Sequence, residues 1–187
     1  SMEVAAKDTE GEMLFYQSKV CEGVFHRISS GTTRDGLEVF GKMEKGYLLS
    51  VDSNWDMYGD GYLSGHYFSE GALREQLEKA YPGLVFTEEP VENQINMYKR
   101  DKVGHILSLT VGNKTISGEE FRQLLELPSS NFTMQAADGK IRFLCKGQGH
   151  GLGLSQYGGN VLAKEGKSYK EILRYYFPEC GVQKKDS

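Results

Sequence analysis

The stretch from Lys146 to Tyr157, Lys-Gly-Gln-Gly-His-Gly-Leu-Gly-Leu-Ser-Gln-Tyr, constrains the fold of this chain more than any other. Glycine occupies every second position from Gly147 to Gly153. Glycine loses more backbone freedom on folding than any other residue, so a run of this kind marks a chain that bends sharply or packs its backbone closely against something. Among and just after the glycines stand His150, Ser155, Gln156 and Tyr157, which supply a titratable ring, two hydroxyls and an amide. Taken alone, a His-Gly in such a run reads as a turn with a satisfied structural histidine. The spacing fits neither phosphate-cradling pattern: there is no Gly-x-x-x-x-Gly-Lys-Ser/Thr, and no acidic ribose partner follows.

The rest of the chain bounds the class. At 187 residues it can bury a sizeable core. No repeat, low-complexity run or Pro/Ser-rich linker divides it, so residues 1–187 read as one compact α+β unit, mainly antiparallel sheet with three to four short helices. A formal net charge of −4 and a pI near 5.6 exclude the basic face of a nucleic-acid binder. Mean hydropathy is −0.49, and no apolar run approaches the ~20 residues of a membrane-spanning helix. Ser1 before Met2 resembles a tag remnant, so the chain reads as a portion of a longer protein. Cys21, Cys145 and Cys180 are odd in number, widely spaced and without a Cys-x-x-Cys pair, which argues against a zinc ribbon or a thioredoxin-type site. They read as buried free thiols, with a disulfide between two of them left open.

Periodicity and punctuation place the elements. Ala5 to Gly11 reads as a turn, Met13–Tyr16 and Val20–Ile28 as strands around a turn at Gln17–Lys19, and Ser29–Thr33 as a polar loop. Residues 56–61 read as a surface loop leading to a strand at Tyr62–Phe68. Ser69 caps a helix reaching Ala80, with Leu73 and Leu77 on one face and Pro82-Gly83 as its stop. Ile95–Lys99 and His105–Val111 pair around Asp101–Gly104, with His105 expected to be exposed or structural. Asn113–Ile116 adds an edge, and Ser117 caps a helix over Gly118–Leu127. Phe132–Met134 and Lys140–Lys146 form a hairpin. Asn160–Gly166 and Tyr169–Tyr176 are the last helices, the second with Ser168 and Glu171 as a capping box. Residues 183–187 are expected to fray.

The glycine run continues in a pattern of high information content: Gly147, Gly149, His150, Gly151, Gly153, Ser155, Gln156, Tyr157 and Gly158, then Ala163-Lys164, Gly166, Ser168-Tyr169, Glu171-Ile172-Leu173 and an aromatic-aromatic-Pro ending. This resembles the C-terminal signature of the SpoIID/LytB family of bacterial sporulation and cell-wall proteins. An upstream stretch, Phe25, His26, Ser29, Gly31 and Thr33, resembles the family's aromatic-His-Ser-x-Ser-Gly-Gly-x-Thr-Glu segment. Departures are Ser30 for a glycine, Arg34 for Glu, Cys145 for a glycine and Gln148 for an aromatic. The resemblance spans nearly the whole chain and is loose in the middle.

The resemblance implies that His26, Ser29, Gly31, Thr33, His150, Ser155, Gln156 and Tyr157 line one groove that binds peptidoglycan glycan strands. It also implies lytic transglycosylase chemistry, in which a carboxylic acid protonates the glycosidic oxygen, at an extracellular, wall-facing location. The family's acid lies in a Glu-Met-Pro segment, which this chain lacks, and Glu89-Pro90 has the wrong order to replace it. No catalytic residue is therefore assigned, although Glu38, Asp52 and Asp56 remain as carboxylates. The alternative is a non-catalytic module of LytB type that grips peptidoglycan or enhances a partner hydrolase. A Ser29 or Ser155 nucleophile paired with histidine lacks the Gly-x-Ser-x-Gly elbow. Zinc held by His26, His150 and a cysteine is disfavoured, because Cys21 and His26 would face opposite sides of one strand. Trp55, Tyr58, Tyr62 and Tyr67 suit either sugar stacking or an ordinary core.

Overall fold

The computed structural model describes residues 12–184, so the turn expected at Ala5–Gly11 lies outside the described residues. The two ends of that span meet in one sheet. The apolar Glu12–Tyr16 strand (β1) is central, flanked antiparallel by Lys19–Cys21 (β2) and by Gly181–Lys184 (β11). Gln183 and Lys184 thus pair with Met13 and Glu12 instead of fraying. Gln17 and Ser18 take positive φ in the tight turn between β1 and β2. The strand expected over Val20–Ile28 is broken: β2 ends at Cys21, and only Phe25–His26 (β3) resumes extended pairing.

Two further sheets carry the middle of the chain. Leu63–Ser69 (β4), Lys140–Lys146 (β9) and Phe132–Ala137 (β8) form one antiparallel sheet in the order β4-β9-β8. Ile95–Arg100 (β5), Ile106–Val111 (β6) and Lys114–Ser117 (β7) form the other, with the turn at Asp101–Gly104 where the residues predict it. Apolar residues from both sheets meet two helices, Glu70–Ala80 (α2) and Gly118–Leu124 (α3), in a first core. Leu73, Leu77, Leu109, Phe121 and Phe143 are fully buried there, each contributing roughly 1.5–3 kcal/mol of burial. Ser69 and Ser117 cap these helices by accepting the amides of Ala72 and Glu120. The second helix stops at Leu124 and not at Leu127, because Glu126 takes a left-handed φ of 53° that lets Leu125 and Leu127 turn into the core.

A second core packs Leu14, Tyr47, Leu48, Leu152, Leu162, Tyr176 and Phe177. Its helices are Gln156–Lys164 (α4) and Tyr169–Tyr176 (α5), the latter opened by the Ser168/Glu171 capping box. A short helix at Gly36–Phe40 (α1) and 3₁₀ turns at Met43–Lys45, Asn54–Tyr58 and Val91–Gln94 were not legible from periodicity. The helix expected from Asn160 begins at Gln156, so Gly158 and Gly159 lie inside it and not in a turn. Gly158 is there for space: a Cβ would collide with the Tyr176 hydroxyl and stand 2.5 Å from Ser53 Oγ. Among the described residues the architecture is α+β and mostly antiparallel. The glycine run lies where the two cores approach each other.

Candidate active-site cleft at the glycine loop

The glycine run is a loop whose alternate residues are left-handed: Gly147, Gly149, Gly151 and Gly153 have φ of 77°, 102°, 77° and 69°. The loop's peptide groups alternate between the segment 24–34, which zips onto the loop, and the carbonyls of Tyr62 and Pro128, which accept the Gly147 and Gly149 amides. Ile28 and Gln148 exchange backbone hydrogen bonds of 3.1 and 2.7 Å, and Arg34 N donates to Gly151 O at 2.8 Å. Between them β3 pairs in parallel with Leu154–Ser155 (β10), setting Phe25 against Leu154 and His26 against Ser155. The two stretches that carry the candidate site residues, far apart in sequence, therefore form one structure.

The histidines meet across this zipper. The His26 and His150 ring centroids are 5.8 Å apart, edge to face. Leu152 orients both. His26 Nδ1 lies 3.0 Å from Leu152 O, which can only accept, so Nδ1 carries the proton. Leu152 N lies 3.0 Å from His150 Nδ1 and can only donate, so the neutral His150 ring carries its proton on Nε2. His26 Nε2 is left as a bare, buried lone pair without a protein partner. Burial drives the His26 pKa from its usual 6.5 down to about 4, against the opposing pull of the Leu152 carbonyl. His150 is also lowered, by burial first, although Glu119 pulls the other way.

Arg34, the departure from the family segment, is the residue that sequence reasoning missed. It is 4% exposed, and its Nε donates to Asp101 Oδ2 at 2.6 Å. Its NH1 donates to His150 O at 3.1 Å. Asp101 also accepts the His105 amide at 2.8 Å. His105 is 1% exposed and bonded through Nδ1 to Ser130 Oγ at 2.9 Å, so it is a structural residue and not an exposed one. Burial, and then the Arg34 charge, hold its pKa well below the usual histidine range. Gly151 leaves room for this cluster, since a Cβ would lie 3.0 Å from both Arg34 Cδ and His105 Nε2.

Beside this cluster opens a cavity of about 380 Å³, walled by Val24, Val39, Phe40, Leu48, Ile106, Leu107 and Leu152. Glu22, Arg34, Lys45, Ser117, Glu119 and His150 supply its polar groups. Of the residues expected to line a groove, His150 alone reaches this cavity. Ser29 is buried, with its amide on Asp56 Oδ2 at 2.6 Å and its hydroxyl accepting from Gly31 N at 3.1 Å. Gly31 has φ of 103° and accepts from Ser53 N. Thr33 Oγ1 donates to Leu49 O and accepts from Val51 N. Ser155 caps α4 through Gly158 N, and Gln156 and Tyr157 are half-buried in its first turn. These residues frame the loop from behind.

The other candidate groups are dispersed. Asp56 is fully buried under the Ser29 turn, Glu38 accepts the Lys102 amide, and Asp52 lies within reach of the Thr32 hydroxyl. Trp55 packs edge-on against Tyr175 in the second core, Tyr62 donates to Ser30 O, and Tyr58 and Tyr67 point to solvent. Neither Ser29 nor Ser155 is hydrogen-bonded to a histidine. Among the described residues no three of His, Cys, Asp or Glu stand together as metal ligands. Cys21 faces Cys180 rather than the histidines, and Cys145 is buried in the first core, so neither thiol stands beside His26 and His150.

No family model matches the chain. It is 30% identical over 184 residues to stage II sporulation protein D of Bacillus amyloliquefaciens, covering 98% of this chain and 51% of that protein. The same protein of Bacillus subtilis is 28% identical over the same length and coverage. The chain is a SpoIID/LytB relative. A stretch of 50 residues, 27% of this chain and 7% of the other protein, is also 42% identical to the amidase enhancer of Bacillus subtilis. The chain spans about half the length of the SpoIID proteins it matches. Against the SpoIID/LytB pattern, Gln148 stands in place of an aromatic and donates to Gly61 O at 3.1 Å, tying the loop to residues 60–61. Among the described residues no helix is long and apolar enough to cross a membrane.

Proposed function

We propose that this chain is a peptidoglycan-active domain of lytic transglycosylase type, which holds a glycan strand in the cavity beside His150. The observation that supports this reading is that the two family-like segments meet at His26 and His150, edge to face, and that His150 lines the cavity. Its dimensions suit a sugar ring: about 380 Å³ with apolar walls and a few fixed polar groups. His150, whose ring also bonds the Phe25 backbone, presents its edge to the cavity, while Arg34 and Asp101 keep its loop in place. His26, Ser29, Gly31, Thr33, Ser155, Gln156 and Tyr157 shape and brace the loop that presents it.

Glycosidic cleavage needs a carboxylic acid whose proton is available near neutral pH. Glu119 reaches the cavity; burial pushes its pKa up, but Arg122 chelates it at 2.6 and 2.9 Å and the net pKa lies below the usual range. It is a carboxylate and a poor acid. This observation favours a second reading alongside the first, a module that binds peptidoglycan and enhances a partner amidase without cutting. The deciding experiment incubates the protein with purified peptidoglycan and examines soluble products by mass spectrometry. Anhydro-muramoyl products establish cleavage by an acid within this chain. Co-sedimentation without products establishes the binding role, and absence of both products and co-sedimentation overturns both readings.

A further inference from the structure

We propose that Cys21 and Cys180 are a covalent cross-linking site, a dithiol built to close into a disulfide that staples the two ends of the fold. Their sulfurs lie 3.6 Å apart although the residues are separated by 159 positions. Cys21 ends β2, and Cys180 immediately precedes β11. Both flank β1, with Cys21 opposite Leu14 and Gly181 opposite Phe15. Both also pack on the second core with Leu14, Tyr47 and Phe177, which holds the thiols in contact and away from other partners. Cys145 is fully buried in the first core and takes no part.

The chemistry is thiol–disulfide exchange. The half-buried Cys21 attacks an incoming disulfide of a small molecule or an oxidoreductase, releasing one thiol and forming a mixed disulfide. Cys180 then displaces the second thiol. Two S–H bonds are lost and one S–S bond forms. The two electrons and two protons leave on the reduced partner, now two thiols. Burial raises both cysteine pKa values, that of Cys180 to about 12, so little thiolate exists at neutral pH and closure is slow without a catalyst. The benefit is large because the loop it closes encloses nearly all of the described chain. The clamp fixes the sheet from which the chain enters β3 and His26. A wall-facing protein, as proposed above, meets such oxidants; the reaction in vitro is independent of that reading.

The test treats the full chain with oxidised glutathione and follows intact mass, peptide maps and melting. The expected product is lighter by about 2 Da, contains a Cys21–Cys180 peptide pair and melts about 5–10 °C higher. Cys145 is expected to alkylate only after denaturation. Cys180→Ser should abolish the mass loss and leave Cys21 carrying one glutathione, and Cys21→Ser should abolish it and leave the more buried Cys180 unmodified. A linkage through Cys145, separate glutathione adducts on both Cys21 and Cys180, no reaction after prolonged incubation at raised pH, or an unchanged melting temperature would overturn the proposal. None of these readouts involves peptidoglycan, so the outcome is separate from the functional reading.

Discussion

His26 and His150 are held in opposite neutral tautomers by the two backbone groups of one residue, Leu152. Its carbonyl fixes the proton of one ring on Nδ1, and its amide fixes the proton of the other on Nε2. Protonating either ring is unfavourable here. His26 is buried with no acceptor for a second N–H, and a protonated His150 would lose the Leu152 amide as donor to Nδ1.

That arrangement sets a pH dependence whose sign is fixed. The folded pKa of His26 lies near 4, below the unfolded 6.5, so between these values the unfolded chain binds more protons than the folded one. Stability is therefore complete above pH 6.5 and is lost as pH falls toward 4, by up to about 3 kcal/mol from His26 alone. His105 and His150 are shifted in the same direction and add to it. Denaturant midpoints measured from pH 7.5 to pH 4.5 should hold to about pH 6.5 and then fall, and His26→Gln should flatten the slope. A pH-independent midpoint would contradict the buried neutral ring.

Removing Arg34 should be far more damaging than removing an exposed arginine. Arg34→Met leaves the Asp101 carboxylate, 5% exposed, without its counter-charge, at an expected loss of about 3–5 kcal/mol. Arg74→Ala, whose contacts to Glu70 and Glu78 are 3.8 and 4.0 Å and partly solvated, should cost about 1 kcal/mol or less. Adding Asp101→Leu to Arg34→Met should recover part of the loss. Urea unfolding of the single and double variants measures that coupling; strict additivity would show that the ion pair does not hold the loop.

Residues with local physical signals were legible in the sequence. Ser69, Ser117 and Ser168 cap the helices they predict, and the Asp101–Gly104 turn lies between the strands it joins. The convergence of the two histidine segments followed from family resemblance, since spacing alone carries no information on long-range pairing. What failed depended on tertiary context. Gly158 looks like a helix breaker until the Tyr176 hydroxyl is seen against it. Arg34 looks like a surface cation until Asp101, 67 residues away, is placed beside it. Of the two readings left open for His105, exposed or structural, burial and the bond to Ser130 Oγ decide for the structural one.

His150 is the one candidate side chain that lines the cavity. His150→Ala should reduce co-sedimentation with peptidoglycan by roughly tenfold, the worth of about one good hydrogen bond. The melting temperature should fall by only about 2–6 °C, because the Leu152 amide loses its acceptor while the Arg34 contact to the His150 carbonyl survives. Tyr58→Ala, at a residue 82% exposed and away from the cavity, serves as the control with unchanged binding. Equal binding by the two variants would remove His150 from the site.

Two glycine substitutions test whether close packing or flexibility accounts for the glycines within helices. Gly71 lies in the first turn of α2, and a Cβ there meets nothing within 4 Å. Gly71→Ala should stabilise by roughly 0.5–1 kcal/mol through reduced freedom of the unfolded chain. Gly158 lies at a similar depth in α4, and propensity alone predicts the same gain. Its Cβ, however, would strike the Tyr176 hydroxyl and crowd Ser53 Oγ, which are themselves hydrogen-bonded at 2.8 Å. Gly158→Ala should therefore destabilise by about 2 kcal/mol or more, as overpacking does elsewhere. Opposite signs for the two variants in thermal unfolding support close approach as the reason for Gly158; a gain at both positions would show that α4 can move away from Tyr176.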